Sequence, residues 1–276
     1  TLQPLAALNY DLMEERMDIF DKESEIIELF MNENSINVCL IPQDDDTKNV
    51  YLSIHEAKNW KHWVNSSGKA DPPPDFYSDK FGLMMDVMRV DDHSFIGEKG
   101  GIVNPTKALE SERSKELKAS GFMDRFPNAK LVLSVNTDLP TEEDHNYRFY
   151  RDAFIRTVET HKRKIARYKV NHPNCKVIFF VFDESSAYME RTTDVKSHRA
   201  GQVVSGAVHW WFMDAAFLSV FRESDIDYLI WYAPYKLIEF AGAKRVELPR
   251  AVVYNVKEMN VNAVTYHADL MESVEV

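Results

Sequence analysis

Cysteine is nearly missing: only Cys39 and Cys175 occur in 276 residues, each in or beside an apolar run. Two are too few for a disulfide framework, so buried free thiols in a reducing, cytoplasmic compartment are expected. Neither has a ligand-spaced partner, and the nine histidines form no HxH or HxxxH pair, which argues against structural zinc. A GxxxxGK[ST] phosphate loop, a GxSxG nucleophile elbow and a Gly-rich dinucleotide fingerprint are also missing, removing three common routes to catalysis. The opening TLQPLAALNYDLMEE lacks a positive start followed by a long apolar run, so no secretory leader is expected. The single run of membrane-spanning length, 203–221, contains His209 and Asp214. A central Asp costs about 2.5–3.5 kcal/mol on insertion, so a helix over 202–223 inside a water-soluble core is expected instead, with no membrane partner. Internal repeats and low-complexity segments are absent.

What is present suits a packed globular chain. Hydrophobic residues at 45% and aromatics at 12% suffice for one large core and argue against disorder. No linker-like segment separates balanced halves, so a single α/β domain over 1–276 is expected, with a helical segment at 5–33 packed on it. The net charge of −11 disfavours adhesion of the whole surface to nucleic acid or anionic membrane, but permits a local basic groove.

Leu5, Leu8 and Leu12 mark one helical face, and Asp21 can cap a second helix carrying Ile26, Ile27 and Phe30. Strands are expected at 36–42 and 50–55, paired as a hairpin, before a short helix whose Trp60 and Trp63 share a face. The almost continuous apolar run at 81–90 reads as a strand covered on both sides. A helix from about Thr106 stops at Gly121, a strand follows at 130–135, and a capping box at 141–144 starts a helix near Glu142. Along that helix Tyr147, Tyr150, Phe154, Val158, His161, Ile165 and Tyr168 form one stripe. A strand at 176–182, a polar loop at 185–200, the apolar helix and a strand at 227–233 follow. The segment 246–256 reads as an edge strand, because Pro249 cannot donate to a ladder. The alternation predicts an α/β fold: a mixed sheet, mostly parallel in its centre, with helices on both faces.

The stretch 71–101 gathers the most potential metal ligands. Asp75 follows three prolines, Asp86 and Arg89 lie on the apolar strand, and Asp91, Asp92, His93 and a Glu98-Lys99 turn come next. Pro74-Asp75 followed by Asp86 resembles the PD-(D/E)XK nuclease superfamily, in element order over roughly residues 20–136. That family sets a helix before a strand meander, an Asp on one strand, an acidic residue plus Lys on the next, then helix and strand. The resemblance implies a restriction-endonuclease-like core, with Mg²⁺ or Mn²⁺ held by Asp75 and Asp86 and an activated water cleaving a phosphodiester. Met88 stands where the motif has its Lys, which leaves Arg89 or Lys99 as the electrophilic helper and His93 as a further candidate ligand. A competing placement, Asp46 with Glu56-Ala57-Lys58, matches the motif literally, but Trp60 and Trp63 suggest that Glu56 already begins a helix.

Two other constellations qualify. IFFVFDES at 178–185 ends a strand on Asp183 and Glu184, where open α/β folds bind ligands. Between positions 148 and 169 eight Lys or Arg face only Asp152 and Glu159, a local balance of +6. Arg148, Arg151, Arg156, Lys162 and Arg163 are therefore the candidate phosphate-binding face, and the helix over 142–170 the candidate nucleic-acid contact. The plainer alternative for this run is a solvated helix face. The function expected is a divalent-metal-dependent phosphodiesterase or nuclease-like protein; the alternative is a non-catalytic α/β protein that binds a partner protein or small ligand.

Overall fold

The computed structural model describes residues 23–66, 74–125, 145–192, 206–236, 238–240 and 244–274. In chain order, α1 (Glu23–Met31) leads through β1 (Val38–Ile41) to α2 (Asp45–His55) and α3 (Ala57–Trp60). A meander follows, β2 (Val64–Asn65), β3 (Phe76–Ser78) and β4 (Leu83–Val90), then a hairpin of β5 (Phe95–Ile96) and β6 (Ile102–Val103). Next come α4 (Pro105–Ala119), α5 (Phe122–Arg125), α6 (Tyr147–Lys162), α7 (Ile165–Asn171) and β7 (Lys176–Asp183). The last third holds β8 (Tyr188–Arg191), β9 (Gly206–Val208), α8 (Ala215–Leu218), β10 (Tyr228–Tyr232), β11 (Ile238–Phe240), β12 (Lys244–Val246), β13 (Ala251–Asn255) and β14 (Met271–Ser273).

Seven strands form the main sheet in the order β1-β13-β10-β7-β4-β3-β2. Its centre, β4-β7-β10, is parallel, and β13 runs against β10 while pairing parallel to β1. At the other end β3 and β2 are antiparallel additions. The sheet is mixed for these reasons and not because of an early hairpin.

The central strands are apolar on both sides because both sides are covered. Val177, Phe179 and Val181 of β7 face a core shared with α6, α7 and α8, while Ile178, Phe180 and Phe182 face one shared with α1 and α2. Ile26, Ile27 and Phe30 of α1 are buried there as the spacing predicts. On α6 and α7, Tyr147, Tyr150, Phe154, Val158, Ile165 and Tyr168 are all buried, so the stripe faces the sheet. The helix after Pro105 also stands where expected, with Gly121 at φ +67° just past its end.

Several expectations are corrected. Residues 50–55 belong to α2, not to a strand: Asp44 accepts from Thr47 N at 2.7 Å, and Thr47, Val50, Tyr51 and Ile54 bury one helical face. The same six residues also alternate, which is why period 2 misleads. No helix spans 202–223; its described part is β9, two short 3-10 turns and the four-residue α8, capped by Asp214. Among the described residues no helix is long and apolar enough to cross a membrane. β13 lies between β1 and β10, not at an edge, because Pro249 precedes the ladder by two residues and removes no donor from it. Residues 185–189 are buried and lead into β8, not into a polar loop. The long helix starts at Tyr147 under an Asn146 cap and breaks between Lys162 and Ile165. Residues 5–22 of the expected helical segment, the strand at 130–135, the capping box at 141–144 and residues 193–200 of the expected loop lie outside the described residues.

Candidate functional site

Buried carboxylates under α6 and at the C-terminal ends of the parallel strands form three neighbouring networks. The first joins Asp75 and Asp86. Phe76 pairs with Met85 across β3 and β4, so Asp75 stands opposite Asp86, and opposite residues of an antiparallel pair share a face. The two side chains are in hydrogen-bond contact, and Asp75 Oδ2 also accepts from Val87 N at 2.8 Å. Asp86, 3% exposed, faces α6 and α7: its Oδ2 accepts from His161 Nδ1 at 2.5 Å and from the Tyr168 hydroxyl at 3.0 Å. Burial and the adjacent Asp86 charge push the Asp75 carboxyl up to about 8, so this pair keeps a proton at neutral pH.

Neither expected helper joins it. Arg89, an odd number of residues along β4 from Asp86, projects from the opposite face and makes a two-pronged contact with Glu184, at 2.8 and 2.7 Å. Lys99 is exposed in the β5–β6 hairpin turn. The network is completed instead by His161 and Tyr168, two members of the apolar stripe. The competing Asp46 and Glu56 stand at opposite ends of α2, about 15 Å of helix apart, too far to share a cation. Asp46 there meets Lys176 at 3.3 Å and the Tyr228 hydroxyl at 2.5 Å.

The second network surrounds Asp183 at the end of β7, which is fully buried. It accepts from the Tyr150 hydroxyl, from Trp231 Nε1 at 2.8 Å, and from Ser185 N and Oγ at 3.0 and 2.6 Å. Lys236, itself buried, stands 3.5 Å away and donates to Ser185 Oγ at 2.5 Å and to Ser186 O at 2.8 Å. A carboxylate so fully hydrogen-bonded has little capacity left for a cation. Burial and the Asp183 charge hold the Tyr150 hydroxyl well above its ordinary value, so it remains a donor. Asp183 and Glu184, adjacent in sequence, thus take opposite sides of the sheet.

The third network centres on Asp92, just beyond β4. Its Oδ2 accepts from Ser186 N and Oγ at 2.9 and 2.7 Å and from the Tyr188 hydroxyl at 2.7 Å. Its Oδ1 faces His145 Nδ1 at 3.2 Å and His93 Nε2 at 3.6 Å. Burial alone would raise this carboxyl, but His145, His93 and Tyr188 outweigh it and hold it well below the usual range. Asp92, His93 and His145 form one of two described groups whose donor atoms converge closely enough for a metal ion; Asp79, His172 and Cys175 form the other. His93 is therefore a neighbour of His145, not of Asp75 and Asp86.

The cations of α6 lie on the side away from Asp86, since His161 and the buried Tyr147, Tyr150, Phe154 and Val158 occupy its inward stripe. Arg148 pairs with Asp269, Arg151 with Asp152 at 2.9 Å, and Lys162 with Glu159 at 2.6 Å and with Val220 O at 2.9 Å. Arg156 is half-buried and Arg163 exposed. Three of the five candidate cations are thus paired with carboxylates, as on a solvated helix face.

No protein-family model, curated protein or solved structure matches this chain.

Proposed function

We propose that this protein is a divalent-metal-dependent, nuclease-like phosphodiesterase centred on Asp75 and Asp86. One observation carries the reading: two carboxyl groups, Asp75 just before β3 and Asp86 on β4, are held in contact where they would repel if both were ionised. Oxygen donors of this kind suit Mg²⁺ or Mn²⁺, and a cation between them would replace the shared proton. What supports the sequence resemblance is its first part, helices α1 and α2 ahead of the meander β2-β3-β4; the strand expected at 130–135 to complete that order lies outside the described residues. When bound, the metal would supply an activated water and stabilise charge on the attacked phosphate.

In this reading His161 takes the place that the sequence assigned to Arg89 or Lys99. Its Nδ1 meets Asp86 Oδ2 at 2.5 Å, which fixes the ring and turns Nε2 away from the carboxylate. The side chain is 19% exposed, enough for a water to reach it. Nucleic acid is the proposed substrate class; the outward cations of α6 would meet it only at a distance from the carboxylates.

A second reading is favoured by the same Oδ2, which His161 and Tyr168 already hold. The cluster would then be a buried polar tie between sheet and helix in a non-catalytic binding protein. Thermal unfolding separates the two. In the first reading Mg²⁺ or Mn²⁺ at 100 times its Kd stabilises the fold by about 2.7 kcal/mol. Asp86→Asn should abolish that response together with cleavage of nucleic acid, whereas Lys99→Ala should leave both unchanged. A metal-insensitive melting temperature in the parent protein would favour the binding protein.

A further inference from the structure

We propose that Asp92, His93 and His145 form a zinc site separate from the Asp75–Asp86 pair, open to an exogenous ligand. The argument begins with distance. Zinc–nitrogen and zinc–oxygen bonds of about 2.0–2.1 Å in a tetrahedron place neighbouring donor atoms about 3.3 Å apart. Asp92 Oδ1 lies 3.2 Å from His145 Nδ1 and 3.6 Å from His93 Nε2. The second separation is too long for a hydrogen bond but close to a tetrahedral edge. The two imidazoles, with ring centroids 4.6 Å apart and planes inclined at 63°, turn different nitrogens toward the same oxygen.

The surroundings are built to hold these donors. Three donors from Ser186 and Tyr188 fix Asp92 through Oδ2, so that Oδ1 is the oxygen presented to the histidines. The next residue back, Asp91, accepts from His93 N and Ser94 N at 3.3 and 3.1 Å and from Asn104 Nδ2 at 2.9 Å, pinning the turn that carries His93. Asn146 N donates to Asp92 O at 3.2 Å, which brings the neighbouring His145 to the same turn. Asp92 is fully buried, whereas the histidine side chains are 16% and 25% exposed, so the group opens to solvent on the histidine side.

Two imidazoles and one carboxylate select zinc or cobalt over magnesium. Among the described residues three protein donors converge, and in the proposed site the fourth tetrahedral corner goes to water or to an oxygen-donor ligand, the pattern of catalytic zinc. The place fits as well: Asp92 and His93 lie just past the carboxyl end of β4 and are tied to Ser186, just past the end of β7, where parallel sheets receive ligands, while His145 joins them from just before α6. The other convergent group, Asp79, His172 and Cys175, is less prepared. Asp79 is exposed, and the His172 ring packs at a tilt against Tyr77 with centroids 4.2 Å apart.

The test is zinc titration of the purified full chain by calorimetry, with Co²⁺ absorption as a report on coordination geometry. The parent protein should bind Zn²⁺, and Co²⁺ should give the intense visible bands of a tetrahedral site. His93→Ala and His145→Ala, checked for folding by circular dichroism, should each weaken this binding by at least about 100-fold, and Ser186→Ala, which loosens Asp92, by about 10-fold. Asp86→Asn and Cys175→Ser should leave it intact, which keeps failure here distinct from failure of the Mg²⁺ site. Absence of zinc binding in the parent, or binding that survives both histidine substitutions, would overturn the assignment.

Discussion

Asp75 and Glu33 are both carboxylates withdrawn from solvent, yet their partners give them opposite effects on stability. Burial opposes ionisation of Glu33, but Asn37 and Arg250 outweigh it and keep its carboxyl below the ordinary value. Its contribution is present above the unfolded value near 4.5 and is lost as pH falls through the lower folded value. Asp75 has burial and Asp86 both acting against ionisation. Between its unfolded value of 3.8 and its folded value of about 8 the native state holds more protons, so metal-free stability declines as pH rises through that window and levels off above it. Melting curves in chelator across this range should show that decline, and Asp75→Asn should flatten it; an unchanged slope would mean that Asp75 is not the group titrating. At this scale the sequence was half legible. Pro74-Asp75 and Asp86 could be found because their spacing follows a local motif, and the structure brings them into contact. His161 and Tyr168 lie 75 and 82 residues beyond Asp86 on a stripe that reads as core, so only the packing of α6 and α7 on the sheet joins them to it. Lys236 and His145 were likewise hidden, because nothing local marks a residue whose partner is far along the chain.

Elements were legible where one period dominated. The α6–α7 stripe repeats every three or four residues, and Phe154 at its middle is fully buried. It stacks on Trp231 at 4.3 Å and meets Phe217 edge-on at 4.9 Å. Phe154→Ala should destabilise the fold by about 3–5 kcal/mol in denaturant titration, through lost burial and the cavity left behind; a loss below about 1 kcal/mol would mean that the surroundings close over the gap. Where two periods coexist, the reading failed. Val50, Leu52 and Ile54 alternate with polar or aromatic residues as a strand would, but the Asp44 cap and the burial of Val50, Tyr51 and Ile54 decide for a helix. In 206–223 nearly unbroken apolar character conceals short elements, because a segment buried from several sides has no periodic face to display.

For the molecule as a whole, the sheet order predicts a gradient of protection. β7 and β10 are central and fully covered, whereas β1 and β2 end the sheet and the two residues of β2 are exposed. Native-state hydrogen exchange should find β7 and β10 amides opening only by global unfolding, and those of β1 and β2 opening earlier. Equal protection across all four strands would refute this ordering. The main-sheet neighbour of β1 also has a consequence during synthesis. Val38–Ile41 pairs with β13, which begins at Ala251. At about 5–20 residues per second, β1 waits roughly 10–40 s on the ribosome before that partner is even made. Throughout the interval VCLI is an apolar strand with unpaired backbone groups, the kind of edge on which nascent chains join one another. α1 and α2, made on either side of it, can cover one of its faces early through Val38 and Leu40, but they cannot supply its hydrogen bonds. The yield of folded protein should therefore depend on how well cells shield this segment while the remaining two hundred or so residues are translated.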